Sequence, residues 1–146
     1  MTNKMKALEE FEKTFNKDSL SKSYYDLLVL RRTLLFEEYM ESLEELDDLA
    51  DLAYDVATGE VEDEPSESLN LNKRLLKELC DVLYVVYGTA YRLGYDLDGA
   101  FAEVHRSNMS KLGDDGKPVY REDGKVLKGP NYRPADVTMF LRRKED

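Results

Sequence analysis

A chain of 146 residues has the length of one domain, and 42% hydrophobic residues support a modest core that partner surfaces would extend. Asp and Glu outnumber Lys and Arg 31 to 21, for a formal net charge of −10. That balance argues against sequence-independent binding to a nucleic-acid polymer, which needs basic surface to displace phosphate counterions, but not against a nucleotide met through a cation.

Residues 5–15 have the apolar spacing of a short amphipathic helix, with Met5, Leu8, Phe11 and Phe15 near one stripe. The polar stretch 16–23 follows, offering Ser21 or Ser23 as an N-cap. Residues 24–57 contain no Gly or Pro and repeat Leu at helical spacing, which predicts one long helix ending one or two turns before Gly59. The acidic stretch TGEVEDEPSESLN reads as a loop, and a second strong helix is expected from Asn70 or Asn72 to Leu93, closed by Gly94. Asp96 or Asp98 should cap a fourth helix, AFAEVHRSNMSKL, ended by Gly113. Beyond it, Val119 and Tyr120 face Val126 and Leu127 across Asp123-Gly124, a hairpin signal; an extended path through Pro130 and Pro134 and the charged tail LRRKED complete the chain. The expected fold is all-α: a four-helix-bundle-like core over 1–112 and an extension over 113–146 acting as a lid or an interface arm.

Cys80 is the only cysteine and leaves no intrachain disulfide. The N-terminus MTNKMKALEEFEKTF is charged rather than signal-like, and the apolar run 79–91 is too short for a bilayer and carries Asp81. A cytoplasmic protein without membrane contact is expected.

Chemistry concentrates in two pairs of carboxylates. Seven acids fall within 37–48 with no basic residue among them, although like charges a turn apart cost about 0.2–0.5 kcal/mol per pair. Glu38 and Glu41 share a face, continued by Glu45. Glu78 and Asp81 repeat the spacing inside LLKELCDVLYVVYGTAY, where an unpaired aspartate is costly. Lys77 adjoins Glu78 but is expected to point elsewhere, and Lys73 or Arg74 reaches Glu78 rather than Asp81. If the two helices pack antiparallel with the pairs level, four carboxylates converge, an arrangement that Mg²⁺ answers with its preference for oxygen ligands. Surface acids with one salt-bridged aspartate, or a polar network at an interface, remain the alternatives from pattern alone. The acids lie within helices, so a calcium-binding EF-hand loop is not supported.

Glu37-Glu38-Tyr39-Met40-Glu41 followed by Glu78-Leu79-Cys80-Asp81 resembles the paired EExxE and ExxD signature of the MazG-like all-α nucleoside triphosphate pyrophosphohydrolases. The flanking LRRTLLFEE and DVLYVVYGTA, and SNMSKLGDDGKPVYREDGKVLKGPNY downstream, are similar to that family as well. The stretch between Glu41 and Glu78 is longer than is usual there, with the excess expected in the acidic loop at 59–67. The resemblance implies Mg²⁺-dependent hydrolysis of NTP or dNTP at the α–β bond to a monophosphate and pyrophosphate, with Mn²⁺ as a substitute. It implies a homodimer or dimer of dimers, with Glu38, Glu41, Glu78 and Asp81 as metal ligands and Glu37 as an additional acid. Glu41, together with Glu38, is the expected catalytic carboxylate, with Glu41 accepting the proton of the attacking water.

Arg106, Asn108 and Lys111 in RSNMSK are candidate phosphate contacts; their alternative is helix-end surface, where Lys111 suits the C-terminus. Arg31 lies two turns before Glu38 and is expected to bind phosphate or pair with acids. Lys117, Lys125, Lys128 and Arg133 give the tail a basic character suited to covering a polyphosphate. His105 is the only histidine, which removes a histidine triad and the usual zinc sites. Two other functions compete: phosphoribosyl-ATP pyrophosphohydrolase, and a non-catalytic acidic helical adaptor or regulatory dimer.

Overall fold

The computed structural model describes residues 3–15, 23–62 and 64–141. Ser21 and the tail beyond Leu141 lie outside them. Four α-helices and one 3₁₀ turn make up the described secondary structure, which is all-α as the sequence predicts: α1 (Asn3–Phe15), α2 (Tyr24–Thr58), α3 (Pro65–Leu93), α4 (Leu97–Met109) and the 3₁₀ turn Thr138–Phe140. Two compact units divide the chain, Asn3–Thr89 and the residues from Ala90 onward.

In the first unit, α2 runs 35 residues without interruption because nothing in it breaks a helix. Ser23 caps its start by accepting from the Asp26 amide, and Gly59, at φ 77, ends it by donating to Asp55 and Val56 carbonyls. That backbone conformation is one L side chains rarely adopt, so the stop is written into the glycine. The expected long loop is much shorter. α3 begins at Pro65 rather than at Asn70 or Asn72. Proline is well suited to the first helical position, where its missing N–H has no partner to lose, and Glu67 in the first turn complements the helix dipole. The residues between Glu41 and Glu78 therefore lengthen the helices more than the loop.

α2 and α3 form an antiparallel hairpin in a single register. Arg31 lies against Gly88, the Glu41 carboxylate meets that of Glu78, and Arg74 reaches Glu45, so each step along α2 matches an equal step back along α3. α1 packs against this pair, with Phe11 edge-on to Tyr84 at 5.4 Å and Lys4 over the Tyr87 ring at 6.0 Å. Arg31 donates to Glu12 at 3.0 Å, joining α1 to α2. A Cβ on Gly88 would lie 3.0 Å from the Arg31 guanidinium and 3.4 Å from Leu8, so the glycine makes room for that pair.

Among the described residues the buried apolar side chains are Met5, Leu8 and Ala90, whereas Glu12, Arg31, Ser42, Glu45, Glu78 and Ser107 are buried polar groups. Large apolar side chains such as Tyr24, Tyr25, Phe36 and Tyr54 remain mostly in solvent. No described helix is long and apolar enough to cross a membrane.

In the second unit, Asp96 caps α4 by accepting from the Gly99 amide, and Gly94 takes φ 73 just after α3, as expected of a helix stop. The expected hairpin forms in the predicted register, with Tyr120 bridged to Val126 and the Leu127 amide donating to Val119 at 2.7 Å. Gly124, at φ 81, makes its turn. The bridge stands alone, so no strand extends from it among the described residues.

The tail is strapped to α4. Ser107 Oγ donates to the Arg133 carbonyl at 2.8 Å, the Arg133 amide donates to Ser110 Oγ at 2.9 Å, and the Asp136 amide donates to Glu103 at 3.0 Å. At the start of the strap the Gly129 amide donates to the Lys111 carbonyl at 2.9 Å, and a Cβ at Gly129 would run into the Leu112 carbonyl oxygen. Backbone cannot yield as a side-chain tip can. Gly129→Ala is therefore expected to loosen the strap, raising amide hydrogen exchange at Arg133 and Asp136 about tenfold or more while leaving α2 and α3 protected. Unchanged exchange at Arg133 would refute the close approach.

A pH window follows from the same strap. Hydrogen bonds from Arg106, reinforced by the Asp136 amide, lower the Glu103 pKa to about 2 from 4.5. A depressed carboxylate favours the docked form at all pH values above its free pKa, and that preference is lost as pH falls from about 4.5 toward 2. The charged groups facing it are Arg106 and Asp136, whose own pKa is lowered chiefly by Thr138. Exchange at the Asp136 amide should be flat at higher pH, after correction for intrinsic rates, and rise within that window. Glu103→Gln should remove the dependence.

Candidate metal centre

The register of the hairpin sets the acids level. Glu38, Glu41 and Glu78 each offer a carboxylate oxygen, and these atoms lie within 4.8 Å of one another. Glu78 is buried, Glu38 half-buried and Glu41 exposed, so the group opens from the helix interface toward solvent. Burial raises the Glu38 pKa above its ordinary value, and the charges of Asp81, Glu41 and Glu78 push in the same direction. Only Lys77 opposes them.

Asp81 is placed differently from the expectation that it would be the interior acid. Its side chain is 38% exposed, whereas that of Glu78 is 11% exposed. Three residues along a helix leave the two side chains about 60° apart on one face, with Glu78 turned toward α2 and Asp81 toward solvent. Lys77 does not point away. Its ammonium lies 2.9 Å from Glu78 and 2.9 Å from Asp81, bridging both acids of the α3 pair. Those hydrogen bonds, Asp81 first, raise the Lys77 pKa above its ordinary range.

Glu45 continues the acidic face but is engaged elsewhere. Arg74 crosses from α3 to donate to it at 2.7 and 3.0 Å and to Asp48 at 3.3 Å, rather than turning to Glu78. That contact sets the next turn of the register and separates structural acids from the cluster.

Arg31 is 7% exposed and holds Glu12 within the helical core. Arg106, Asn108 and Lys111 belong to the second unit. Arg106 makes two 2.7 Å bonds to Glu103 and a third to the Pro134 carbonyl, which fixes the strap. Lys111 donates to Asn108 at 2.7 Å, so those two do share a face, and both are hydrogen-bonded to each other.

Sequence reasoning misplaced Lys77 and passed over Glu12, Ser107 and Ser110. Lys77 and Asp81 stand at i,i+4, a spacing visible in the sequence. Glu12 gave no local signal, since its partner is 19 residues away. Ser107 and Ser110, within the RSNMSK stretch, anchor the tail through a backbone carbonyl and amide that no local pattern marks.

The donor set fits a hard divalent cation. Three carboxylates from two antiparallel helices, one buried and one with a pKa raised by burial and then by its acidic neighbours, carry excess negative charge that only one lysine offsets. A family model described as phosphoribosyl-ATP pyrophosphohydrolase matches residues 8–108, more than two thirds of the chain. The protein belongs to that family. The phosphoribosyl-ATP pyrophosphohydrolase family lies within the MazG-like all-α superfamily, so the signature read from the sequence holds at the superfamily level. Membership makes the chain a pyrophosphohydrolase acting on a nucleotide. The matched residues include Glu38, Glu41, Glu78 and Asp81, and the strapped tail lies beyond them. No curated protein matches the chain.

Proposed function

We propose that this protein hydrolyses nucleoside triphosphates, NTP or dNTP, at the α–β bond, releasing a nucleoside monophosphate and pyrophosphate. The observation that carries the reading is the meeting of Glu38, Glu41 and Glu78 oxygens within 4.8 Å, in a chain of a pyrophosphohydrolase family. Mg²⁺, or Mn²⁺ in its place, neutralises phosphoryl oxygens and acidifies a water when bound at such a cluster. Glu38, Glu41, Glu78 and Asp81 would hold it, the last two after release from Lys77. Glu78 fixes the buried side, and Glu38, crowded by like charge, gains most from a cation.

Glu41, the exposed member, accepts the proton of the attacking water, with Glu38 orienting that water. Asn108 and Lys111 serve the phosphates; Arg106 is committed to the strap and Arg31 to Glu12. The residues 1–112 form the catalytic core and 113–146 an extension to it. Two copies associate through the exposed apolar side chains of α2, among them Tyr24, Tyr25 and Phe36, which water disfavours. With one unpaired cysteine and free nucleotides as substrates, the work is cytoplasmic.

The family's description favours a second reading, phosphoribosyl-ATP as the substrate, with the same bond cleaved. A panel of NTPs, dNTPs and phosphoribosyl-ATP with Mg²⁺, scored for pyrophosphate and orthophosphate, separates the two. Pyrophosphate from several triphosphates supports the first reading, and pyrophosphate from phosphoribosyl-ATP alone supports the second. Orthophosphate as the sole product overturns both. A non-catalytic adaptor would hydrolyse nothing and would tolerate Asp81→Asn.

A further inference from the structure

A cleft of about 400 Å³ lies among α1, α2 and α3, and Glu38 borders it. One carboxylate thus belongs both to the acid cluster and to the cleft. The walls are apolar and aromatic. Phe11 and Phe15 have ring centroids 4.8 Å apart, Tyr84 stands edge-on to Phe11, and Leu34 lies on α2 one turn before Glu38. Arg31 and Glu12 also line it, about 10 Å along α2 from Glu38. Both are more than nine-tenths buried, and Arg31 Nε is buried without a hydrogen-bond partner. Phe15, at 71% exposed, leaves a ring face in water.

We infer that this cleft receives the nucleobase of the substrate, stacked on the exposed Phe15 ring beside Phe11 and Tyr84, with its hydrogen-bonding edge toward Arg31 and Glu12. The inference rests on the reading that the substrate is a nucleotide and adds the element that recognises it. The volume falls within the range of small-molecule sites. Aromatic rings stack on any base through its π-face. Every nucleobase presents an acceptor beside a donor along its pairing edge, which a guanidinium and a carboxylate held side by side can meet. Glu38 at the near end puts the base next to the cluster assigned to the phosphates. Arg31, singled out above for a phosphate, then works at the other end of the nucleotide.

The test is equilibrium binding to the full chain without divalent cation, comparing nucleoside 5′-monophosphates with ribose 5-phosphate, which lacks a base. Base-containing ligands should bind tighter, and Phe15→Ala should weaken them about fivefold or more while leaving ribose 5-phosphate unchanged. Leu34→Glu, which puts a charge into the apolar wall, should do the same. Sedimentation of each variant accompanies the titration. Equal binding of both ligand types would overturn the inference. So would a Phe15→Ala variant that changes the assembly state with base-dependent binding intact, since a second copy would then cover the cleft. Base-dependent binding without pyrophosphate release from triphosphates would keep the cleft and remove the hydrolytic reading. Pyrophosphate release without base-dependent binding would do the reverse.

Discussion

Glu78→Gln is expected to lower pyrophosphate release at least about 100-fold and to abolish the stabilisation that Mg²⁺ confers. Substitutions that merely support a metal ligand typically cost about 10–100-fold, so loss of a ligand should cost no less. Glu78 is the sharpest test because it is the buried member of the cluster. Glutamine keeps the volume and still accepts a hydrogen bond from Lys77, so folding is preserved and the lost quantity is the charge. Steady-state pyrophosphate release across a Mg²⁺ titration, with thermal unfolding at fixed protein concentration, reads both effects. A variant within about threefold of the parent rate would rule out the three-carboxylate site as the catalytic centre.

Arg31→Ala is expected to destabilise the protein by about 3–5 kcal/mol, the usual cost of stranding one member of a buried ion pair. The side chains of Arg31 and Glu12 are 8% and 4% exposed, and their bond is 3.0 Å, so removal leaves a carboxylate inside the helical core. Glu12→Ala should cost a similar amount. The double replacement Glu12→Leu with Arg31→Met should recover most of the loss or exceed the parent, because matched apolar groups carry no desolvation cost. Denaturant unfolding of the four proteins gives the coupling directly. Additive single losses would mean that the pair does not act as a unit.

The long helices were legible because their signals are local. The uninterrupted run 24–57 and the glycine stop at Gly94 describe the chain one turn at a time, although α2 runs on to Gly59 itself rather than ending a turn or two before it. The hairpin at Asp123-Gly124 was legible for the same reason. Pro65 misled because the same residue that ends a helix from within is favoured at its first turn, and composition alone does not say which. The acid cluster was half legible. Three-residue spacing put Glu38 beside Glu41, and the level packing of α2 and α3 brought Glu78 to them. Helix phase then set Glu78 inside and left Asp81 half-exposed, which a list of apolar neighbours did not reveal. Lys77 was misjudged because its backbone position is adjacent to Glu78, while its flexible four-carbon stem lets the ammonium reach Asp81 a turn away. Contacts such as Glu12 with Arg31 and Ser107 with Arg133 join distant segments, and no window along the sequence contains both partners.

The lysine bridge between Glu78 and Asp81 has a consequence for assembly. The protein carries a tethered monovalent plug at its most acidic spot, so the helices come together without waiting for an ion from solution. A dication held there, as proposed above, would exchange with that plug, whose ammonium is already 62% exposed to water. Occupancy would then be a swap on a scaffold already built.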